Sequence, residues 1–200
     1  MLILASKSPR RQELLRLITD DFTVKTADVK ECLPLGIAPH EAVLYLSKIK
    51  AEPLANDGDI VIGADTVVAV DGRILGKPAD RESAKEMLHL LSGREHSVFT
   101  GVTVFNGREP KSFYIQTKVK FFELTEDEID WYVSTGECDD KAGAYGIQGK
   151  GSMLVEKIDG DYFNVVGLPV SKLYRELNDE KNLADVTNFN GKSCLFCRKK

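Results

Sequence analysis

The first apolar stretch, Leu2-Ile3-Leu4-Ala5-Ser6-Lys7-Ser8-Pro9-Arg10-Arg11, predicts a β-strand that runs directly into an α-helix. Ser8 is a favourable N-cap residue, and Pro9 suits the first helical position. Arg10 and Arg11 then fall in the first turn, where free N–H groups and the helix dipole already create a positive potential. The pattern favours a phosphate-like ligand that offsets this charge, and solvated arginines on an ordinary first turn are the alternative.

The size and charge of the chain exclude several classes of protein. Its 200 residues, 42% of them hydrophobic, suit one large domain or two small lobes. The net charge of −4 argues against a broad nucleic-acid-binding face, which is usually basic. No apolar run reaches the roughly 20 residues of a membrane span, and no signal segment precedes the first strand. We therefore expect a cytoplasmic protein, and its four cysteines fit a reducing compartment.

Strands alternate with helices early in the chain, whereas hairpins dominate later. Ile60–Val70 is a nearly continuous apolar run, typical of a sheet centre that is covered on both faces. Asp71-Gly72, Asn106-Gly107 and Asp159-Gly160 predict hairpin turns. Helices are predicted over residues 9–18, 40–51, 81–91, 126–134 and 170–177, with Asp80 as the N-cap of the third. Other strands are predicted over 1–5, 22–26, 73–75, 96–105, 112–124, 152–158 and 162–166. The pattern predicts an α/β fold with a mixed, twisted sheet flanked by helices.

Asp65 is the only charged residue inside the apolar run Ile60–Val70. An ionised carboxylate there is costly unless it is paired, hydrogen-bonded or bound to a metal. Gly63 and Ala64 beside it leave room for a ligand or for another backbone. We interpret Asp65 as a functional residue, and the alternative is a carboxylate that accepts hydrogen bonds from nearby backbone N–H groups.

Two later segments also have a composition suited to a nucleotide. Gly76-Lys77-Pro78 follows the hairpin that leaves the Asp65 strand, so Lys77 returns toward the same part of the sheet and can face phosphate. The glycine-rich stretch 139–151 allows close approach to a ligand, with Tyr145 able to stack on a base and Gln148 able to donate to and accept from a base edge. The alternatives are a solvated lysine and a flexible connection.

Three acidic residues, Asp28, Glu31 and Glu41, are candidates to join Asp65 as oxygen ligands of a hard cation. For Asp28 and Glu41 an ordinary surface charge is the preferred interpretation. The three histidines show no metal-ligand spacing.

Residues 179–200 are polar and weakly patterned, and we expect a mobile tail after a domain of residues 1–178. The tail contains Cys194-Leu195-Phe196-Cys197, which supplies at most two zinc ligands. We interpret this pair of cysteines as adventitious.

A series of short motifs is spread over residues 1–178: Ser6-Lys7-Ser8-Pro9-Arg10-Arg11-Gln12-Glu13-Leu14-Leu15, Glu31, Lys50-Ala51, Gly63-Ala64-Asp65-Thr66, Gly76-Lys77-Pro78, Leu91-Ser92-Gly93, Asp140-Lys141-Ala142-Gly143-Ala144-Tyr145-Gly146-Ile147-Gln148-Gly149 and Val166-Gly167-Leu168-Pro169. In this order and spacing the chain resembles the Maf family of nucleoside triphosphate pyrophosphatases. Each motif alone is weakly specific, but the set is highly specific.

The resemblance implies hydrolysis of a nucleoside triphosphate to the monophosphate and pyrophosphate. It also implies two lobes with a central cleft, a fold similar to the inosine-triphosphate pyrophosphatase superfamily, a divalent cation such as Mg²⁺ or Mn²⁺, and a possible homodimer. The form of residues 142–149 resembles the subgroup that prefers dTTP and UTP, including modified pyrimidine nucleotides. Nucleic acid and membrane are not implied as partners.

The resemblance also assigns roles to particular residues. The proton acceptor of the family matches Asp65, and its substrate-selecting positions match Arg10, Thr66 and Gln148. Further pocket residues match Ser8, Glu31, Lys50 and Lys77. We expect Asp65 to activate water, directly or through the metal, with Glu31 as a second metal ligand.

Two features depart from the family pattern. Lys30 precedes Glu31, where many relatives carry another acid, and the tail after Leu177 has no recognised counterpart. A second hypothesis is a nucleotide-sensing interaction protein, linked to septum formation, that does little chemistry. A sensor tolerates the loss of Asp65 while keeping Arg10 and Lys77, so the presence of all three favours the enzyme.

Overall fold

The apolar run Ile60–Val70 forms the central strand of the sheet in the computed structural model, which describes residues 1–107 and 109–179. The strands are β1 (Leu2–Leu4), β2 (Thr23–Val24), β3 (Ile60–Val70), β4 (Arg73–Leu75), β5 (Glu95–Asn106), β6 (Glu109–Phe121) and β7 (Val155–Asp159). The helices are α1 (Pro9–Arg16), α2 (Pro39–Ala51), α3 (Arg81–Leu91), α4 (Glu126–Ser134), α5 (Tyr162–Val166) and α6 (Val170–Asp179). The first residue of the predicted tail, Asp179, ends α6, and the rest of the tail with its cysteine pair lies outside the described residues.

The seven strands form one mixed sheet in the order β2-β1-β3-β5-β6-β7, with β4 also paired to β3. β1 runs parallel to β2 and β3, whereas β3, β5, β6 and β7 pair in antiparallel fashion. The prediction of a mixed sheet flanked by helices is therefore confirmed. The segment β3 is buried along nearly its whole length, as its continuous apolar sequence predicts.

Helix starts follow the predicted capping residues. Ser8 caps α1, where its Oγ accepts a hydrogen bond from the Arg11 N–H at 3.4 Å. At the start of α3, Asp80 Oδ1 accepts from the Ser83 N–H at 2.8 Å. Side chains that satisfy otherwise free N–H groups fix where each helix begins.

The predicted hairpin at Asp159-Gly160 is wrong. β7 ends at Asp159, but residues 162–166 form the short helix α5 instead of a returning strand. Asp161 caps this helix, its Oδ1 accepting from the Phe163 N–H at 2.8 Å. The buried Asn164 then donates through Nδ2 to Val98 O at 3.0 Å and to Thr117 Oγ1 at 2.9 Å. These side-chain bonds to the sheet stabilise a helix where local propensity favoured a strand.

Helix α2 lies directly against the sheet at two glycines. A Cβ on Gly63 would lie 2.1 Å from Ser47 O, and one on Gly101 would lie 2.4 Å from Val43 O. The space beside Asp65 is therefore occupied by another backbone, which is one of the two alternatives that the sequence left open.

The two larger of three hydrophobic clusters form the cores of two lobes. One contains Val68 and residues of α3 and α4, and the other contains Leu4, Val166 and residues of α1 and α6. Residues of both clusters line the cleft described below, in agreement with the predicted two lobes. None of the helices within residues 1–107 and 109–179 is both long and apolar enough to span a bilayer.

Candidate active site

A gap in strand pairing places the cleft. β1 pairs with β3 only up to Ile62, and β4 pairs with it only from Val68 onward. Within the described part of the chain, Gly63–Val67 therefore has no strand partner along that edge, and this segment carries Asp65 and Thr66. Because side chains alternate along a strand, Asp65 faces α2 and Thr66 faces the opposite side, toward α1 and α5.

A cleft of about 690 Å³ lies beside this gap. It is lined by every residue predicted for the site: Ser8, Arg10, Glu31, Lys50, Asp65, Thr66, Lys77 and Gln148. The structure thus brings together residues from six separate segments of the chain.

The lining of the cleft is rich in basic side chains although the whole chain is acidic. Six basic residues face four acidic ones: Lys7, Arg10, Arg11, Lys50, Lys77 and Lys141 against Glu31, Asp65, Glu137 and Asp140. A concave site with this balance attracts a polyanion.

Asp65 is neutralised by a lysine. Lys50 Nζ, on the last turn of α2, donates a hydrogen bond to Asp65 Oδ1 and lies 3.0 Å from Glu31 Oε2. The Asp65 and Lys50 side chains are only 12% and 17% exposed. The ion pair explains how an isolated carboxylate is tolerated in an apolar strand, and here the partner is an ammonium group.

The same carboxylates supply oxygen ligands that suit a hard cation. Glu31 and Asp65 each place an oxygen against the same ammonium, so both can approach one point in the cleft. Mg²⁺ is commonly held by one or two carboxylates, with substrate phosphates and water completing its shell. No group of three or more potential metal-ligating side chains occurs among residues 1–107 and 109–179.

The two arginines of α1 differ in their surroundings. Arg10 is partly exposed, and its Nη1 lies 3.6 Å from Asp140 Oδ2. Arg11 is held from three sides: Nε donates to Gly167 O at 2.9 Å, Nη2 to Thr66 Oγ1 at 3.1 Å and Nη1 to Ser6 Oγ at 3.4 Å. Burial lowers the pKa of Arg11, and the charge of Asp65 opposes that shift. Arg10 is therefore held by one partly exposed ion pair, whereas Arg11 is held by three hydrogen bonds.

The segment that carries Gln148 is anchored to the rest of the protein. The Gly143 N–H donates to Gly76 O at 3.0 Å, beside Lys77. Tyr145 Oη lies 2.7 Å from His96 Nε2, and both side chains are buried. The segment is therefore not a flexible connection; Tyr145 packs into the core, and Gln148 is exposed at the cleft.

Glu137 holds the far end of the same segment. Its carboxylate accepts from the Lys150 N–H at 2.9 Å and from the Gly151 N–H at 3.3 Å. A Cβ on Gly149 would lie 2.5 Å from Glu137 Oε1, so any larger residue there would displace this carboxylate. The role of Glu137 leaves no local pattern in the sequence, because the N–H groups that it binds are 13 and 14 residues away along the chain.

Comparison with known proteins identifies the family. The sequence model described as "Maf-like protein" matches residues 1–180. The chain belongs to this family. The resemblance drawn from the motifs is thereby confirmed, together with the α/β fold that it implies.

Curated relatives of this Maf-family chain are similar over most of their length. A protein of Bacillus pumilus (strain SAFR-032) is 52% identical over 178 residues, which cover 88% of this chain and 94% of the relative. One from Exiguobacterium sibiricum is 53% identical over 176 residues, covering 88% and 90%. A third, from Bacillus cereus (strain G9842), is 51% identical over 178 residues, covering 88% and 93%. Each of these three proteins is named dTTP/UTP pyrophosphatase.

Proposed function

We propose that this protein hydrolyses dTTP, UTP and modified pyrimidine nucleoside triphosphates to the monophosphate and pyrophosphate. The observation that carries the proposal is the position of Asp65, paired with Lys50 at the unpaired edge of β3, inside a cleft rich in cations. Relatives that are 51–53% identical and bear the name of this activity support it.

In the proposed reaction Asp65 acts as the proton acceptor. A water beside its carboxylate attacks the α-phosphorus, forming a new P–O bond while the bond from the α-phosphorus to the α–β bridging oxygen breaks. The proton of the water passes to Asp65, and pyrophosphate leaves with the bridging oxygen. Lys50 orients the carboxylate through its hydrogen bond to Oδ1.

The basic side chains of the cleft hold the triphosphate. Arg10 and Lys77 are exposed enough to move onto phosphate oxygens, and the first N–H groups of α1 add the positive end of a helix dipole. Ser8 lies at that helix terminus. Charge that develops on the leaving pyrophosphate is then stabilised by groups already in place.

Glu31 and Asp65 would hold a divalent cation, Mg²⁺ or Mn²⁺, together with phosphate oxygens. When bound, such a cation neutralises phosphate charge and lowers the pKa of coordinated water. The Lys50 ammonium contacts both carboxylates and thereby offsets their mutual repulsion.

Selection of the pyrimidine falls to Gln148 and Thr66 in this proposal. The amide of Gln148 carries both donors and an acceptor and is exposed at the cleft. Thr66 lies next to the catalytic carboxylate but faces the other side of β3.

Release of pyrophosphate from a panel of triphosphates with Mg²⁺ or Mn²⁺ tests the proposal. We expect turnover of dTTP and UTP to exceed that of ATP, GTP and CTP. Release chiefly from GTP analogues would keep the hydrolase but refute its pyrimidine preference. Binding without release from any triphosphate would support the nucleotide-sensing alternative.

The proposal also includes a cytoplasmic location and a homodimeric state. Cys32 is exposed and Cys138 is buried, and a reducing compartment would keep both as thiols. Light scattering on the purified full chain measures its oligomeric state.

A further inference from the structure

A chain of hydrogen bonds runs from the cleft into the protein through three side chains. Arg11 Nη2 lies 3.1 Å from Thr66 Oγ1, and Thr66 Oγ1 lies 2.9 Å from Thr100 Oγ1. Thr100 Oγ1 in turn lies 2.8 Å from the backbone oxygen of Asn164, in α5. The two threonines are directly opposite each other on β3 and β5, so the sheet itself fixes their spacing.

The direction of every bond in this chain is determined by its two ends. A backbone oxygen only accepts, so Thr100 uses its single hydroxyl proton on Asn164 O. Thr66 must then donate its own proton to Thr100. A guanidinium only donates, so Thr66 accepts from Arg11. The Thr66 oxygen is left with an acceptor site and no proton to offer a ligand.

Burial keeps this arrangement from being reversed by water. Thr100 is fully buried, with 0% of its surface exposed. Arg11 is also held by Gly167 O and Ser6 Oγ, so its Nη2 stays aimed at Thr66. A cleft residue whose hydrogen-bonding sense is fixed in advance discriminates between ligands, because a mismatched polar group is left unpaired.

We infer that Thr66 presents an acceptor-only oxygen to the nucleotide and selects it by a hydrogen-bond donor, with Arg11 and Thr100 as positioning residues. The inference rests on the proposed function and deepens it. Two donors are common to dTTP and UTP: the N3–H of the base and the 3′-hydroxyl of the sugar. Cytosine has no proton at N3, so the first donor would also exclude CTP.

Binding of product-like monophosphates tests the inference independently of catalysis. Calorimetry on the full chain compares dTMP with N3-methyl-dTMP and with 3′-deoxy-dTMP, in the wild type and in Thr66→Val, which keeps the shape and removes the oxygen. We expect the wild type to prefer dTMP over one analogue by about tenfold, and this preference to vanish in Thr66→Val. The analogue concerned identifies the base or the sugar as the donor. Preferences that both persist unchanged in Thr66→Val would overturn the inference.

A second pair of variants tests the positioning role of Thr100. Thr100→Val removes the acceptor that takes the Thr66 proton, whereas Thr100→Ser retains the hydroxyl. The test ligand is the analogue in which the identified donor is replaced by an acceptor: dCMP for the base or 3′-O-methyl-dTMP for the sugar. Its binding affinity relative to dTMP should rise about tenfold in Thr100→Val and not in Thr100→Ser. An equal gain in Thr100→Ser, or no gain in a folded Thr100→Val, would overturn the role. If Thr100→Val does not fold, the Thr66→Val comparison decides.

Turnover of dTTP, measured on the same wild-type preparation, separates this inference from the proposed function. Absence of pyrophosphate release with intact discrimination among the monophosphates would refute the hydrolase and leave the acceptor role of Thr66 standing. Normal pyrophosphate release without discrimination among the monophosphates would support the hydrolase and refute the acceptor role of Thr66.

Discussion

Lys50 Nζ donates to Asp65 Oδ1 across the interface between helix α2 and strand β3, and both side chains are largely buried. The same ammonium lies 3.0 Å from Glu31 Oε2. One lysine thus contacts two carboxylates in a cleft that is lined by basic side chains. The chemistry proposed for the site depends on this arrangement.

Asp65→Asn should lower pyrophosphate release from dTTP by on the order of 100-fold or more, because an amide cannot accept the proton of the attacking water. The Asn oxygen can still accept from Lys50, so the circular dichroism spectrum and melting temperature should stay close to wild type. Asp59→Asn, which alters an ion pair with the N-terminus outside the cleft, is the matched control. Near-normal turnover in a folded Asp65→Asn protein would refute the proton-acceptor role.

Glu31→Gln should raise the Mg²⁺ concentration needed for half-maximal activity by on the order of tenfold, because an amide is a weaker ligand than a carboxylate. Glu41→Gln is the control, since Glu41 is exposed and sits at the start of α2. Removal of the metal by EDTA should abolish turnover of the wild type. An unchanged Mg²⁺ requirement in Glu31→Gln would exclude Glu31 as a ligand.

Arg10→Ala should raise KM for dTTP by roughly tenfold while leaving stability nearly unchanged, because its partly exposed pairing with Asp140 contributes about 1 kcal/mol or less. Arg16→Ala, on the same helix but outside the cleft, should not change KM. An unchanged KM for dTTP in a folded Arg10→Ala protein would exclude Arg10 as a phosphate ligand.

Gly63→Ala should destabilise the protein by about 1–3 kcal/mol, because the added methyl would lie 2.1 Å from Ser47 O and must push α2 off the sheet. Pyrophosphate release should also fall under conditions where the variant is fully folded, because α2 carries Lys50. The neighbours of Gly58 begin at 3.7 Å, so Gly58→Ala serves as the control. Urea unfolding measures the loss of stability, and pyrophosphate release measures the loss of activity. Equal free energies of unfolding for Gly63→Ala and Gly58→Ala would contradict the packing argument.

His96 should make folding sensitive to acid. Burial lowers its pKa from 6.5 to about 4, so the unfolded chain binds a proton more readily than the folded protein. The contribution is fully present above pH 6.5 and is lost as the pH falls from 6.5 to 4, amounting to about 3 kcal/mol.

Urea unfolding of wild type and His96→Gln across this pH range isolates the effect of the imidazole. The amide can still pair with Tyr145 Oη, which lies 2.7 Å from His96 Nε2 in the wild type, but it does not titrate. We expect the variant to lose less stability than the wild type between pH 6.5 and 4. Parallel curves would show that His96 does not titrate in this window.

The local sequence was sufficient to predict a feature wherever a single segment contains the whole pattern for it. The run Ile60–Val70 became the central strand with unchanged bounds, and Ser8 and Asp80 cap the helices that they were predicted to start. Asp65 was recognisable because a single charge in an apolar strand must have a partner. Residues 162–166 misled the prediction, because contacts of Asn164 with β5 and β6 outweigh local strand propensity.

The sequence by itself determined the family, the mixed sheet and the residues that gather in the cleft, since each depends on motifs and periodicities contained within single segments. Only the tertiary structure decided how these residues face one another: that Lys50 neutralises Asp65, that Arg11 is held by three hydrogen bonds while Arg10 is partly exposed, and that Glu137 anchors the Gln148 segment. It also decided the direction of the hydrogen bonds through Thr66. Such relationships join residues far apart in the chain, and hydrogen-bond direction depends on which atoms meet, a property that no linear pattern records.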